Sequence, residues 1–378
     1  RLYFGTAPVA EEASDDSIPQ DDRARLDVWS WTDDYLQPQQ KKRLKQEKQK
    51  NYLAYYDLER KTLIQLANEK IEHVETMHKG NGDYMLGMEY DKYGKLLSWE
   101  GLRYKDVYLI DAATGESELI LEKKSDRVML SPFGKYILYY NREDSAWYSY
   151  DIGEKKLVNL TSELPVAFYD EWNDVPQLPG SNGLLNFTHN DEYVLIYDFY
   201  EVWKIDPSGQ EKAVNFTNNY GRGNSRRLRY IKLDPDEYYL DLDRDIYFSV
   251  VDENTMEQGI MKWKNADSDP DMLVFTDHDY LDFHKAKESH DIAFRRGNFK
   301  EYNDVYLSNT KFSSIQKISD ANPQASQYYW GNVNLVEWTS FNDDQLKGLL
   351  YTPENIDPDK EYPLLVYFYE RSSHRMNS

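Results

Sequence analysis

Cysteine is absent from the 378 residues, which excludes disulfides, thiolate zinc sites and a cysteine nucleophile. The absence does not fix a compartment, because exported proteins also dispense with cysteine. No apolar run approaches the ~20 residues that a membrane helix needs, and no charged, apolar, small-residue leader opens the chain. Positive charge is scarce: 45 Lys and Arg stand against 67 Asp and Glu, a formal net charge of −22. Nucleic-acid binding needs a concentrated basic face that releases counterions, so DNA and RNA are set aside as partners.

Catalytic motifs are missing as well. There is no G-x-S-x-G: Ser117 follows Gly115 and Ser225 follows Gly223, but Leu119 and Arg227 stand where the second glycine belongs. His73 and His78 are five apart and would lie on different faces of a helix, unlike H-E-x-x-H. Asp241, Asp243 and Asp245 imitate the opening of a calcium loop, but Ile246 takes the place of the turn glycine, and Asp267, Asp269 and Asp271 fail in the same way. No metal or cofactor is expected. Paired carboxylates for glycoside hydrolysis give no signal among so many acids.

What is present is a repeat. An aromatic-rich strand closed by Asp or Asn, a turn and a second apolar strand recur at Leu53–Leu66, Val107–Leu121, Trp147–Leu160, Val202–Phe216, Ile260–Phe275 and Val305–Ile318. The closing residue is Asp57, Asp111, Asp151 and Asp206 in four copies, with Asn265 and Asn309 as looser counterparts. Copies spaced roughly 40 to 60 residues apart match four-stranded antiparallel blades, which cannot bury both faces alone and must stack. A second recurring element, turn residues followed by alternating aliphatic and aromatic residues, opens a strand at Ser131–Tyr140 and Thr188–Tyr197, with Lys79–Tyr90 and Asp234–Leu242 as weaker versions. Aromatics at 15%, with 33 tyrosines, suit half-buried strands.

The fold expected is therefore all-β: a β-propeller of about six blades or part-blades over residues 1–330, followed at 331–378 by the start of a different domain. Two insertions interrupt the blades. Gln39–Lys50 has strong helix formers and almost no apolar face, which predicts a solvated helix rather than a nucleic-acid patch. The stretch 168–183 (FYDEWNDVPQLPGSNG) is a long turn rich in Pro, Gly and acids, the kind of loop in which propellers keep function. The chain opens at Arg1 inside a strand-like stretch and stops at Ser378 soon after another, so both ends read as cut.

The segment Leu335–Glu370 breaks the blade pattern with a hairpin around Asn342–Asp344, a strand ending at Pro353, a polar loop and the apolar run Leu364–Tyr369. Such a run after a polar loop is what an early buried strand of an α/β sheet looks like. Trp338–Pro353 (WTSFNDDQLKGLLYTP), followed by Tyr362, Pro363 and that run, resembles the entry hairpin of the prolyl oligopeptidase family, with its L-x-G-x-L-Y-x-P pattern. Asp27–Gln39 and Asp191–Gly209 are similar to bacterial, dipeptidyl peptidase IV-like members. Together the resemblance covers nearly the whole chain, and the hairpin is its most specific part.

The resemblance implies a propeller that gates short peptides to an α/β-hydrolase domain whose Ser, Asp and His lie beyond this chain, so that no catalytic residue can be placed here. It also implies peptide substrates, a hydrolase domain of the same protein as partner, and an exported location. Asp170, Glu171 and Asp174 are similar to the family's acidic motif for a substrate amino terminus, although Trp172 breaks the run, and a solvated acidic loop is the alternative. The resemblance further implies that Tyr369 is the counterpart of a Tyr that supplies an oxyanion-hole donor, with a core or strand-end Tyr as the alternative. A stand-alone propeller acting as a binding or scaffold module is the competing function.

Overall fold

A computed structural model describes residues 1–9, 19, 22, 26–264, 268–368 and 376. Strands hold 39% of the residues and helices 11%, so the chain is predominantly β. It packs as two compact units, residues 1–162 and 163–378.

Every sheet is an antiparallel meander whose strands pair in chain order. In the first unit, sheet I joins Leu2–Thr6, Tyr52–Asp57 and Thr62–Gln65. Sheet II joins His73–Glu75, Tyr84–Glu89, Lys105–Asp111 and Ser117–Lys124, and sheet III joins Val128–Leu130, Tyr136–Asn141, Ala146–Asp151 and Lys156–Asn159. In the second unit, sheet IV joins Leu184–Phe187, Val194–Tyr197, Val202–Ile205 and Val214–Asn215. Sheet V joins Arg226–Tyr230, Ile246–Asp252, Gln258–Trp263 and Asp271–Thr276; sheet VI joins Asp279–Lys285, Asp291–Gly297, Asp304–Asn309 and Gln316–Lys317. A two-stranded hairpin, Asn332–Thr339 with Gln345–Thr352, follows.

The six repeats of the sequence are the last two strands of the six sheets. Their recurring acid is explained by the turn between them. Asp57 Oδ1 accepts from the backbone N–H of Glu59 and Arg60, both at 2.9 Å. Asp111 does the same for Ala113 and Thr114, at 2.7 and 3.1 Å, and Asp151 for Glu154 at 2.8 Å. Asn309 Oδ1 accepts from Lys311 N at 3.0 Å. A short acceptor at the strand end satisfies the N–H groups that the reversing backbone leaves unpaired. Asn265 lies outside the described residues.

Successive side chains of a strand point to opposite faces, and in sheets II and V both faces are covered. In sheet II, Leu86, Met88, Val107 and Leu109 pack with Val128, Leu130, Ile137 and Tyr139 of sheet III. The alternate residues Met85, Tyr108 and Ile110 pack with Tyr55 and Ile64 of sheet I. The second unit repeats the scheme, with Phe248, Val250, Met261 and Trp263 of sheet V against Leu195, Tyr197 and Val202 of sheet IV, and Ile260 against the Tyr280, Ile292, Phe294 cluster of sheet VI. Gly87 makes the close approach in sheet II feasible: a β-carbon there would stand 2.5 Å from Ile71 Cγ2 and 2.9 Å from Ile110 Cδ1.

The second recurring element also has a local cause. Ser131 Oγ accepts from Lys135 N and Tyr136 N, and Thr188 Oγ1 from Tyr193 N, each just before the second strand of its sheet. The weaker version at Asp234–Leu242 forms no strand; only a bridge between Thr188 and Leu240 occurs there, and the second strand of sheet V begins at Ile246. Residues 37–48 form the expected surface helix, with no buried side chain. The acids read as calcium-like take local partners: Asp241 Oδ1 accepts from Asp243 N at 3.0 Å and Oδ2 pairs with Arg244 Nε at 3.1 Å. Asp267 lies outside the described residues. Among the described residues no helix is long and apolar enough to cross a membrane.

The apolar run departs from the strand expected of it. Leu364–Phe368 is assigned to no strand, and its side chains are exposed. Hydrophobicity alone does not make a strand, because the backbone N–H and C=O groups need a neighbouring strand, and among the described residues none lies beside them.

Candidate functional site

The acidic loop, residues 168–183, is closed at its base. Phe168 is buried and meets Trp203 edge-on, Asp170 N donates to Gly180 O at 2.8 Å, and Asn182 N donates to Phe168 O at 3.0 Å. Asn173 Nδ2 reaches Val175 O and Gln177 O, both at 3.1 Å, which sets the turn inside the loop. Asp170 spends Oδ1 on Trp172 N at 3.0 Å. Trp172 then folds back over Phe199, with ring centroids 4.9 Å apart, and under the Arg227 guanidinium at 4.1 Å.

Beneath the loop is the tight turn that joins the second and third strands of sheet IV. Asp198, wholly buried, accepts from Tyr200 N and Glu201 N, both at 2.6 Å, and from Trp203 Nε1 at 3.0 Å. Glu201 is buried too: Oε1 accepts from Arg222 N at 2.6 Å, and Thr217 Oγ1 donates to Oε2. Burial raises the Glu201 carboxyl above the ordinary glutamate value, and the donors from Arg222 and Thr217 only partly oppose it.

Three arginines lie against this turn, and a fourth, Arg226, points from the opposite face of its strand. Arg222 pairs with Glu171 Oε1 at 3.0 Å, approaches Asp198 Oδ1 at 3.8 Å and lies 4.9 Å over the Tyr200 ring. Burial opposes its charge, and the carboxylates of Glu171 and Asp198 outweigh that and raise its pKa. Arg227 pairs with Glu253 Oε1 at 3.1 Å, while Tyr200 Oη donates to Glu253 Oε2 at 2.7 Å. Burial, then that carboxylate, raises the Tyr200 phenol. Arg226 is held by Asp252 at 3.1 Å and donates to Tyr220 Oη at 2.9 Å. Arg229 lies 4.7 Å over the Tyr197 ring and makes no ion pair within 4.0 Å among the described residues; burial lowers its pKa, and Asp170 is among the acids that act on it electrostatically.

The structure therefore brings Asp170 and Glu171 to one arginine-rich face. Glu171 is already paired, Asp170 turns its own loop and Asp174 is exposed. Tyr369 lies outside the described residues. Sequence reasoning missed Arg222, Arg227, Arg229 and Glu253. The available signal was Arg226-Arg227-Leu228-Arg229, three cations in four residues of a strongly acidic chain. Chemically the face combines carboxylates on a loop with a guanidinium on a strand, groups that suit an ammonium and a carbonyl or carboxylate respectively.

No family model matches the chain, and no curated protein matches it. Solved structures are similar to it. A putative dipeptidyl aminopeptidase IV from Bacteroides ovatus aligns with 82% of the chain and 52% of its own length, at 12% identity and a TM-score of 0.49. An acylaminoacyl peptidase from Pyrococcus horikoshii aligns with 83% of the chain and 49% of its own length, at 12% identity and a TM-score of 0.43. An oligogalacturonate lyase in complex with manganese aligns with 80% of the chain and 83% of its own length, at 9% identity and a TM-score of 0.40. The chain spans about half the length of the two peptidases.

Proposed function

We propose that this chain is the propeller portion of a serine peptidase of the prolyl oligopeptidase kind and selects peptides for it. On this reading the loop 168–183 lines the route of the substrate. Asp170 and Asp174, with Glu171 held by Arg222, receive the ammonium of a peptide amino terminus, and Tyr369 serves as an oxyanion-hole donor. The parent protein acts on exported or extracellular peptides, and its hydrolase domain is the partner of this chain.

The observation that carries the reading is the apolar ledge after the sheets. Leu364, Leu365, Val366, Tyr367 and Phe368 are 65% to 93% exposed. The hairpin before them exposes Trp338, Leu346 and Tyr351 as well, and its tip carries Phe341 at 97% exposure. Exposed apolar side chains gathered in this number suit an interaction site. An α/β-hydrolase sheet would take the run as a buried strand, and the hairpin carries the L-x-G-x-L-Y-x-P pattern at Leu346–Pro353.

The test is to react the full-length gene product that contains this sequence with a fluorophosphonate serine probe, with the 378-residue chain alone as control. Labelling of the long product and not of the chain is expected. A folded long product that stays unlabelled overturns the peptidase reading and leaves a binding module.

A further inference from the structure

In the first unit, the helix Gln37–Lys48 spans a cleft of about 700 Å³ that neither the repeat nor the peptidase reading uses. We propose that this cleft binds a small polyvalent oxyanion, a molecule carrying two or more carboxylate or phosphate groups.

Lys42, Arg43, Lys45, Lys50 and Arg103 line it, against three carboxylates. Those carboxylates are engaged: Lys50 pairs with Glu72 and, at 3.4 Å, with Glu47, and Tyr35 Oη donates to Asp91 at 2.8 Å. Lys42, Arg43, Lys45 and Arg103 have no ion-pair partner within 4.0 Å among the described residues. In a chain of net charge −22, four uncompensated cations around one cleft are a local inversion of the protein's field.

Two of them are oriented as receptors. Arg103 lies 3.8 Å over the Tyr90 ring and Arg43 4.7 Å over the Tyr35 ring. A guanidinium resting on an aromatic face loses less freedom on binding and keeps N–H donors for a carboxylate or phosphate. His73 packs edge-on against the same Tyr90 at 5.3 Å, and burial first, then Arg103 and Lys50, lowers its pKa.

The helix carries a marked excess of positive charge. It has five cations and one acid, with Lys41 and Lys45 at i,i+4 and Lys42 and Lys45 at i,i+3, spacings at which like charges repel. It buries no side chain, and twelve residues are too few for a robust helix in isolation. Asp27 answers Lys41 at 2.8 Å and accepts from Gln37, and the flanks tether the helix through Tyr35 on Asp91 and Lys50 on Glu72, which leaves Lys42 and Lys45 as the charges to be neutralised. An oxyanion in the cleft would bridge the helix cations to Arg103 on the sheet side and relieve that repulsion.

The experiment is calorimetric titration of the intact chain with citrate and with pyrophosphate, against chloride at equal ionic strength. Hydrogen exchange of residues 37–48 is followed in parallel. Saturable binding of citrate or pyrophosphate with slowed exchange in the helix is expected. The tighter of the two assigns the site to carboxylates or to phosphates. Arg103→Gln and the double variant Lys42→Gln/Lys45→Gln, all at solvent-facing positions that leave the fold intact, should each weaken binding roughly tenfold or more. No saturable binding, binding that both variants leave unchanged, or a response that chloride reproduces, an adventitious ion only, would overturn the proposal.

Discussion

Arg222 holds Glu171 at 3.0 Å while lying 4.9 Å over the ring of Tyr200, so its guanidinium fastens the acidic loop to the Asp198 turn beside the contact of Trp172 with Phe199. Both side chains of the pair keep about a third of their surface in water, 39% for Arg222 and 31% for Glu171. Solvent screening limits such a pair to about 0.2–1 kcal/mol. A double-mutant cycle of Arg222→Gln and Glu171→Gln is expected to give a coupling in that range, together with faster proteolysis within residues 168–183 in either single variant. Unchanged proteolysis would show that the Trp172 stack, not the ion pair, fastens the loop.

Glu201 gives the same region a pH dependence with a definite sign. Burial raises its carboxyl in the folded state above the ordinary value of 4.5. The folded state therefore holds its proton to higher pH than the unfolded chain does. Stability from this group is fully present below 4.5 and is lost as pH rises through the folded value. In Glu201→Gln, which keeps an oxygen for Arg222 N, that loss should vanish. Urea unfolding from pH 4 to 7 should show the native protein losing stability relative to the variant, and parallel profiles would refute the assignment.

Asp206 is the most heavily used of the strand-end acids. It accepts from Ser208 N, Ser208 Oγ, Gln210 N and Glu211 N, between 2.7 and 3.1 Å. Burial alone would raise its carboxyl, but these donors prevail and hold it below the ordinary value. Its stabilisation is thus present above the ordinary aspartate range and lost as pH falls through the folded value. Asp206→Ala should cost about 1–2 kcal/mol and Asp206→Asn less, because Asn keeps one acceptor. Equal urea midpoints for the two variants would show that the charge and the second oxygen contribute nothing.

These cases also show what the sequence could disclose. Asp57, Asp111, Asp151, Asp206 and Asn309 were legible because an acceptor that serves N–H groups two to five residues ahead leaves a local, repeating mark. The pairing of Arg222 with Glu171 spans 51 positions, and that of Arg226 with Asp252 spans 26, so nothing in either local stretch announces a partner. Leu364–Phe368 was read correctly as apolar but not as to strand, because a strand is defined by a neighbour that no periodicity supplies. Asp170 and Glu171 lie in a loop that Pro and Gly mark locally, while their arginine surroundings are a property of the folded unit alone.

Trp338 and Gly348 supply the sharpest test of the hairpin. A β-carbon on Gly348 would meet Trp338 Cη2 and Cζ3 at 3.0 Å, closer than van der Waals contact allows. The glycine is therefore the floor on which the indole lies across the two strands, two residues along from the Trp338–Leu346 pair and on the same face. The indole is half exposed, so it can swing outward at the cost of its contact with the strand. Gly348→Ala should displace the ring with little loss of stability, and Gly348→Val should cost about 1–3 kcal/mol through overpacking. In a Trp338→Ala background the obstacle is gone, and the β-branched side chain should be neutral or stabilising in a strand position. Thermal unfolding of the four proteins in this cycle decides the matter: a cost for Gly348→Val that is the same with and without Trp338 would mean that the ring does not rest on the glycine.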